Sequence, residues 1–187
     1  WFAFLPVGDL VYALLTDGTS IHVITENGSS VTMGTVTDPN APTSPAFVAS
    51  FGNRFVVSTL DTPDYGLSAV NLGGTSLNLA ACFTVNGSAL FNRASGVVRQ
   101  FAVLHNQLYI LCDFTTDIWA NIQTQITVAG VTREFPWKLN TSYNWDYGIA
   151  DPNSLSVDFG RMVWLAKNSN GLVSFMASNG QQPEDIS

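Results

Sequence analysis

Charged residues are scarce in this sequence, and basic residues are the scarcest. Among 187 residues, 7 are Lys or Arg and 14 are Asp or Glu, so the formal net charge is −7. Proteins that grip nucleic acid neutralise its phosphates with Lys and Arg. The composition therefore argues against a protein that binds nucleic acid tightly, and it favours an acidic, soluble surface.

Long apolar runs and helical periodicity are also missing. No stretch is apolar for the roughly 18 residues that a membrane span needs. The apolar positions alternate or cluster in short runs, and they never keep a helical spacing over three turns. We therefore predict an all-β chain without a membrane span. The first six residues lack the basic segment of a signal peptide, and because the chain begins at Trp1 we expect it to be a portion of a longer protein.

Only two cysteines are present. Cys82 and Cys112 both lie in apolar runs, which predicts two buried free thiols rather than a disulfide bridge. Neither cysteine has the CxxC or Cys/His spacing of a zinc site. We predict no metal and no cofactor.

Short strands and turn residues fill the chain instead. Residues 10–15, 21–25 and 30–33 predict three strands of a meander, because Asp17-Gly18 and Asn27-Gly28 are dipeptides that favour tight hairpins. The proline-rich segment that follows cannot complete a hydrogen-bond ladder, so it should connect this sheet to the next. Further strands are predicted at residues 46–51, 53–59, 68–72, 77–83, 97–104, 107–112, 117–122, 153–158, 162–165 and 172–176.

Hairpin turns recur at a regular interval. Those near Gly52, His105-Asn106 and Gly160 are about 54 residues apart, within the range expected of four-stranded blades. Stacking such blades around an axis covers both faces of each sheet and leaves only short edges. We therefore predict that residues 1–187 form a single β-propeller domain, or part of one, with about four blades. The alternative fold is a β-sandwich.

An ordered set of short segments gives the second half of the chain a family resemblance. Residues 104–121 read as strand, turn and strand, and they contain Trp119. The segments that follow at family-like intervals are Phe135-Pro136-Trp137, Tyr147-Gly148, Asp151-Pro-Asn-Ser154, Trp164-Leu165, a loop ending at Gly171, and Pro183 to Ser187. In that order they resemble the hub or nozzle proteins of short-tailed bacteriophages, also called packaged-DNA stabilisation proteins. Residues 52–66 look like the preceding blade of that family.

The resemblance implies a non-enzymatic virion protein of the phage tail. Such proteins assemble as a homo-oligomeric ring, bind the tail adaptor beneath the portal, and help to close the channel that retains packaged DNA. An acidic wall would let DNA slide past without sequence-specific binding. Two positions depart from the family pattern: Asp185 stands where a basic residue is expected, and Trp137 replaces a phenylalanine. The matched residues are expected to be structural.

Aromatic residues in the predicted connection before the last blade are the candidate contact residues. Large aromatics in loops commonly mark contact surfaces. We predict partner contacts at Trp137, Tyr143, Trp145 and Tyr147, although a core position is an equal alternative for Trp137 and Trp145. The competing function is a carbohydrate- or receptor-binding propeller in which these rings stack on sugars.

Catalytic chemistry has little support in the sequence. Asp113 and Asp117 form a pair that a glycosidase would need, but turn capping explains both more simply. Asp146, Asp151 and Asp158 lack the dense ladder of a calcium loop. His22 and His105 have no third residue spaced to complete a metal site or a nucleophile's base. We predict no catalytic residue and no enzymatic activity.

Overall fold

The computed structural model describes residues 1–7, 9–68, 78–85, 88–128, 131–139 and 144–187, and within these ranges it describes the side chains of all but residues 85, 88, 121–128 and 131–138. The chain divides into two compact units, residues 1–98 and residues 99–187. Each unit is built from antiparallel sheets in which most strands pair with the strand next to them in the chain.

The first unit contains two four-stranded meanders. The strands of the first sheet, in order, are β1 (Phe2–Val7), β2 (Leu10–Thr16), β3 (Ile21–Glu26) and β4 (Val31–Thr35). The strands of the second sheet are β5 (Pro45–Phe51), β6 (Arg54–Thr59), β7 (Asp64–Leu67) and β10 (Phe91–Arg93). A small separate hairpin of β8 (Thr84–Val85) and β9 (Ser88–Ala89) lies between β7 and β10 in the chain.

The second unit repeats this plan. The strands of the third sheet are β11 (Val98–Leu104), β12 (Gln107–Cys112), β13 (Thr116–Val128) and β14 (Val131–Leu139). The strands of the fourth sheet are β15 (Tyr147–Ile149), β16 (Ser156–Asp158), β17 (Arg161–Asn168), β18 (Val173–Ser178) and β19 (Glu184–Asp185). Strands β15 and β16 pair with successive parts of β17, and the 3-10 turn Pro152–Ser154 joins them. The predicted fold class is thus confirmed: the chain is all-β, and its sheets are four antiparallel blades of the propeller type.

Each unit has an apolar core between the faces of its two sheets. In the first unit, buried residues of β1 to β3 pack against residues of β5 and β6, with Tyr12, Leu14, Phe55 and Val57 at 1% exposure or less. In the second unit the core joins the third sheet to the fourth through Tyr109, Leu111, Trp145, Met162 and Trp164. Face-to-face burial of this kind is the main source of stability in such sheets.

The turns expected from the sequence are confirmed. The hairpins between β5 and β6, β11 and β12, and β16 and β17 all use backbone with positive φ. His105 and Asn106 have φ values of 48° and 57°, and Phe159 and Gly160 have values of 48° and 73°. The hairpins therefore place His105 and Phe159 in the left-handed region, where histidine is fairly common but an aromatic such as Phe159 is unusual.

Some predicted strands differ from the structure. The strand expected at residues 77–83 is wrong over its described part, because residues 78–83 form turns in which the Asn78 and Ala81 carbonyls accept from nearby N–H groups. Strand β1 was not predicted. The strand expected at 153–158 begins only at Ser156, since Asp151 caps a 3-10 turn before it. The strand expected at 68–72 falls, beyond Ser68, outside the described residues.

A buried carboxylate fixes the connection between the first two sheets. Asp38 is 5% exposed, and its side chain accepts hydrogen bonds from the backbone N–H of Phe83 at 2.7 Å and of Asn40 at 2.8 Å. The hydroxyl of Thr84 lies 3.0 Å from both carboxylate oxygens. Asp38 thereby connects the loop after β4 to Phe83 and Thr84, at the start of the β8–β9 hairpin.

Replacing Asp38 with asparagine should destabilise the protein by about 2 kcal/mol, because one amide NH2 would face a backbone N–H donor and the charge-assisted bonds would be lost. Urea unfolding of the two proteins would measure the difference. Asp64→Asn is the control, since Asp64 is surface-exposed and pairs with exposed Arg93 at 3.1 Å. That exposed pair should contribute less than about 1 kcal/mol. Equal losses in both variants would contradict the role given to Asp38.

Both cysteines are free and buried, as predicted. Burial, with a smaller contribution from the charge of Asp38, raises the pKa of Cys82 from 9.0 to about 12. Burial also raises the pKa of Tyr109 from 10.0 to about 12. The folded protein therefore holds both protons more tightly than the unfolded chain does.

We expect the free energy of unfolding to fall in alkaline solution. Because both folded pKa values are raised, this contribution is complete below the unfolded value of 9.0 and is lost as the pH rises toward about 12. Urea midpoints measured between about pH 8 and pH 11.5 should decline, and the Tyr109→Phe variant should decline less. A midpoint that stays constant over this range would show that neither group is protected in the folded state.

Candidate contact surface

The segment that joins the third sheet to the fourth is fixed by a short bridge to β13. Thr116 and Trp145 exchange two backbone hydrogen bonds of 3.0 and 3.1 Å, and the Thr116 hydroxyl donates to the Tyr147 carbonyl at 2.6 Å. The bridge turns the ring of Trp145 into the core of the second unit. There it stacks on Trp164 with a centroid separation of 5.8 Å, and it lies 5.2 Å from the ring of Tyr109.

Of the four predicted contact residues, the structure describes the side chains of Trp145 and Tyr147. Trp145 is 1% exposed, which places it in the core, the alternative position predicted for it from the sequence. Tyr147 is partly buried and packs against the same core, which leaves only part of its side chain accessible. Tyr143 and the side chain of Trp137 lie outside the described residues.

Gly148 follows this bridge and has no space for a side chain. A Cβ atom built on it would collide with the carbonyl oxygen of Cys112, and it would lie 2.5 Å from the backbone nitrogen of Phe114. The Gly148 carbonyl accepts a hydrogen bond of 3.1 Å from the indole N–H of buried Trp164. The Tyr-Gly and Trp-Leu segments noted in the sequence thus meet in one buried junction.

An exposed aromatic residue that the sequence did not single out lies at the tip of the β16–β17 hairpin. Phe159 is 99% exposed, and its φ of 48° is strained for an aromatic residue. The preceding Asp158 holds this conformation by accepting a bond of 2.8 Å from the Phe159 N–H. The available signal was its place in a predicted turn beside Gly160, where a large apolar side chain cannot reach the core.

A shallow pocket of about 440 Å³ opens beside Phe159. Buried Ala177 and Ser178 lie at its base. Its rim is polar, with exposed Arg161 and Glu184 as the charged residues. The amide side chains around it belong to Asn179, Gln181 and Gln182. All of these residues belong to the fourth sheet or to its turns.

Two glycines, Gly160 and Gly180, lie in the turns around this pocket and close to the His105 ring. Cβ atoms built on Gly160 and Gly180 would lie 3.2 and 3.0 Å from the His105 imidazole, so the ring lies close to both turns. Ser178 shapes the second turn: its hydroxyl donates to the Gln181 carbonyl at 2.6 Å and accepts from the Gly180 N–H at 3.0 Å. The His105 ring and the Ser178 hydroxyl therefore contact the turns that line this pocket.

Two sheet faces are apolar and open to solvent within their own units. In the first sheet, paired residues align Phe4, Ala13, Ile24 and Met33 across one face, and Phe4 and Met33 are 57% and 68% exposed. In the fourth sheet, Val173 and Phe175 are about half exposed on the face opposite the core. Exposed apolar faces of this kind usually mark contact surfaces.

Two acidic residues considered for metal binding, Asp151 and Asp158, accept hydrogen bonds from backbone N–H groups in turns. Asp151 caps the 3-10 turn by accepting from the Asn153 N–H at 2.9 Å. Asp17 accepts from the backbone N–H groups of Ser20 and Thr19 and lies 3.3 Å from His22, and the backbone bonds hold its pKa well below the usual range. Among the residues that the structure describes, no group of three or more His, Cys, Asp or Glu is placed to hold a metal.

Comparisons with known proteins give structural likenesses but no match to a family. No family model matches the chain. No curated protein matches it either. Among solved structures the chain is similar to YCF48 from Cyanidioschyzon merolae, with 12% identity and a TM-score of 0.43 over 93% of this chain and 52% of that one. The chain thus spans about half the length of that structure. In the described part of the chain, no helix has the length and apolar character to cross a membrane.

Proposed function

We propose that the chain is a non-enzymatic structural part of a bacteriophage virion, in the hub or nozzle of a short tail. The observation that carries this proposal is the buried junction of Gly148, Trp164 and Trp145. The Tyr-Gly and Trp-Leu segments of the hub-like pattern supply its residues, and their roles there are steric and structural. A structural role of this kind explains why the same short segments can occur in the same order in hub proteins and in this chain without a common catalytic group.

The open apolar faces support an assembling protein. The first and fourth sheets each bury one face within their own unit and leave the other apolar, as with Phe4 and Met33 in the first sheet and Phe175 in the fourth. In a propeller or a ring of propellers, neighbouring sheets cover such faces. We propose that the chain belongs to a homo-oligomeric ring below the portal, in contact with the tail adaptor.

The charge of the chain is compatible with a DNA channel that does not bind DNA. The first 53 residues contain no Lys or Arg, and they include four acidic residues, Asp9, Asp17, Glu26 and Asp38. A wall of this composition repels phosphate, so packaged DNA would pass without sequence-specific contact.

Electron microscopy of purified virions, and of the recombinant protein mixed with tail components, tests this function. We expect a ring of blades on the tail axis below the portal. A matched variant, Phe4→Asp, should leave the first unit folded because the Phe4 ring is mostly exposed, and it should weaken assembly through the open face of the first sheet. A monomer that never occupies the tail axis would refute the proposal.

A further inference from the structure

The pocket beside Phe159 has the size of a site for a small ligand. Its volume of about 440 Å³ lies within the range of small-molecule sites, roughly 300–1,000 Å³. It is shallow, and its rim is polar, unlike the deep apolar cavities that hold hydrophobic ligands. The pocket therefore suits a compact ligand that keeps much of its surface in water.

The polar groups around the pocket include both donors and acceptors. Each amide of Asn179, Gln181 and Gln182 offers an NH2 donor and a carbonyl acceptor. Arg161 adds donors and Glu184 adds acceptors, and their charges cancel. An anion such as phosphate would need a surplus of positive charge, which this pocket does not have. A ligand with many neutral hydroxyl groups matches it better.

Phe159 completes the match by supplying an exposed ring at the rim. Its side chain is 99% exposed and its backbone is strained at φ 48°, so the chain sacrifices some stability to present the ring. Backbone strain of this kind is concentrated at ligand clamps and other functional sites. An aromatic face offers apolar contact to the C–H face of a sugar ring while its hydroxyls bond to neighbouring side chains.

The turns that carry these groups are held before any ligand arrives. The His105 ring lies against Gly160 and Gly180, and the Ser178 hydroxyl makes two hydrogen bonds within the second turn. A site with fixed walls loses less conformational entropy on binding, which favours weak ligands such as single sugars.

We propose that this pocket binds a neutral carbohydrate, with Phe159 stacking on the sugar ring and the surrounding amides bonding to its hydroxyls. The site belongs to the second unit alone, and it does not depend on the tail function proposed above. It also differs from the carbohydrate contacts that the sequence suggested, since Trp145 is buried.

Nuclear magnetic resonance of the full 187-residue chain, labelled with ¹⁵N, tests the site. The probes are D-glucose, D-galactose, D-mannose and N-acetyl-D-glucosamine, each titrated to about 50 mM, well above the millimolar dissociation constants that correspond to about 4 kcal/mol. We expect saturable shifts of the amides of residues 159–161, 177–182 and 184 with at least one sugar. Inorganic phosphate, titrated in the same way, should not shift them.

Two variants distinguish stacking of the sugar on Phe159 from a general effect of losing an exposed apolar side chain. Phe159→Ala should weaken the binding at least about tenfold while the melting temperature stays unchanged, because the ring is almost wholly exposed. Leu172→Ala removes another exposed apolar side chain, 64% exposed and outside the pocket, and it should bind like the original chain. The proposal is overturned if no sugar gives saturable shifts, if phosphate alone does, or if Phe159→Ala binds as tightly as the original.

Discussion

Replacing Gly148 with alanine should unfold the second unit. The new Cβ would collide with the carbonyl oxygen of Cys112, and it would lie 2.5 Å from the nitrogen of Phe114 and 2.6 Å from the carbonyl carbon of Asp113. All three are backbone atoms, so no side chain can rotate away to make room. Relief would require β15 to leave β17, which would expose Trp164 and break its bond to Gly148. We expect a loss above about 4 kcal/mol, measured by urea unfolding and by the near-ultraviolet circular dichroism of the tryptophans.

Gly171→Ala is the matched control for this prediction. Gly171 lies in the same unit, but a Cβ atom there meets nothing within 4 Å, and only its φ of 79° disfavours alanine. That strain should cost about 1 kcal/mol. If the two variants lose equal stability, the backbone collision at Gly148 is not the cause.

The strands that could be predicted from the sequence are those with strong local signals. Gln107–Cys112 is a compact apolar run, and His105-Asn106 marks the turn before it. Phe159-Gly160 marks a turn of the last blade. Period-two alternation and turn dipeptides act within a few residues, so one sequence is enough to reveal them. The all-β class and the four blades follow from such local signals.

Pairings that depend on distant residues could not be predicted in this way. Strand β7 pairs with β10, which lies more than twenty residues later, and the short strand β10 has no alternating pattern of its own. The apolar run at 78–83 looks like a strand, but it folds into turns because Asp38, far away in the chain, binds the N–H of Phe83. Tertiary contacts of this kind override local β-propensity.

The candidate site shows the same limit. Trp145 and Phe159 both lie near predicted turns, yet the structure buries the first and exposes the second. What distinguishes them is the bridge between Thr116 and Trp145, which turns the indole inward, and the left-handed backbone of Phe159, which points its ring to solvent. The bridge has no local sequence signature, because it pairs residues that are far apart in the chain, whereas the turn at Phe159 and Gly160 was visible in the sequence.

Truncating Trp145 to alanine should therefore destabilise the fold rather than remove a partner contact. The indole is 1% exposed, stacks on Trp164 and lies 5.2 Å from the ring of Tyr109, so its loss leaves a large cavity in the core of the second unit. We expect a loss of about 3–5 kcal/mol. Urea unfolding followed by tryptophan fluorescence measures it, and Tyr147→Ala, at a partly exposed position, should cost less.

Phenylalanine variants separate the packing of this core from its hydrogen bonding. The Nε1 atom of Trp145 has no hydrogen-bond partner among the described residues, whereas that of Trp164 donates to the Gly148 carbonyl. Trp164→Phe should therefore cost about 1 kcal/mol more than Trp145→Phe, since it alone leaves a buried acceptor without its donor. If Trp145→Ala keeps its full stability and instead abolishes assembly on the tail axis, the indole lies at an interface and the packing described for the second unit is wrong.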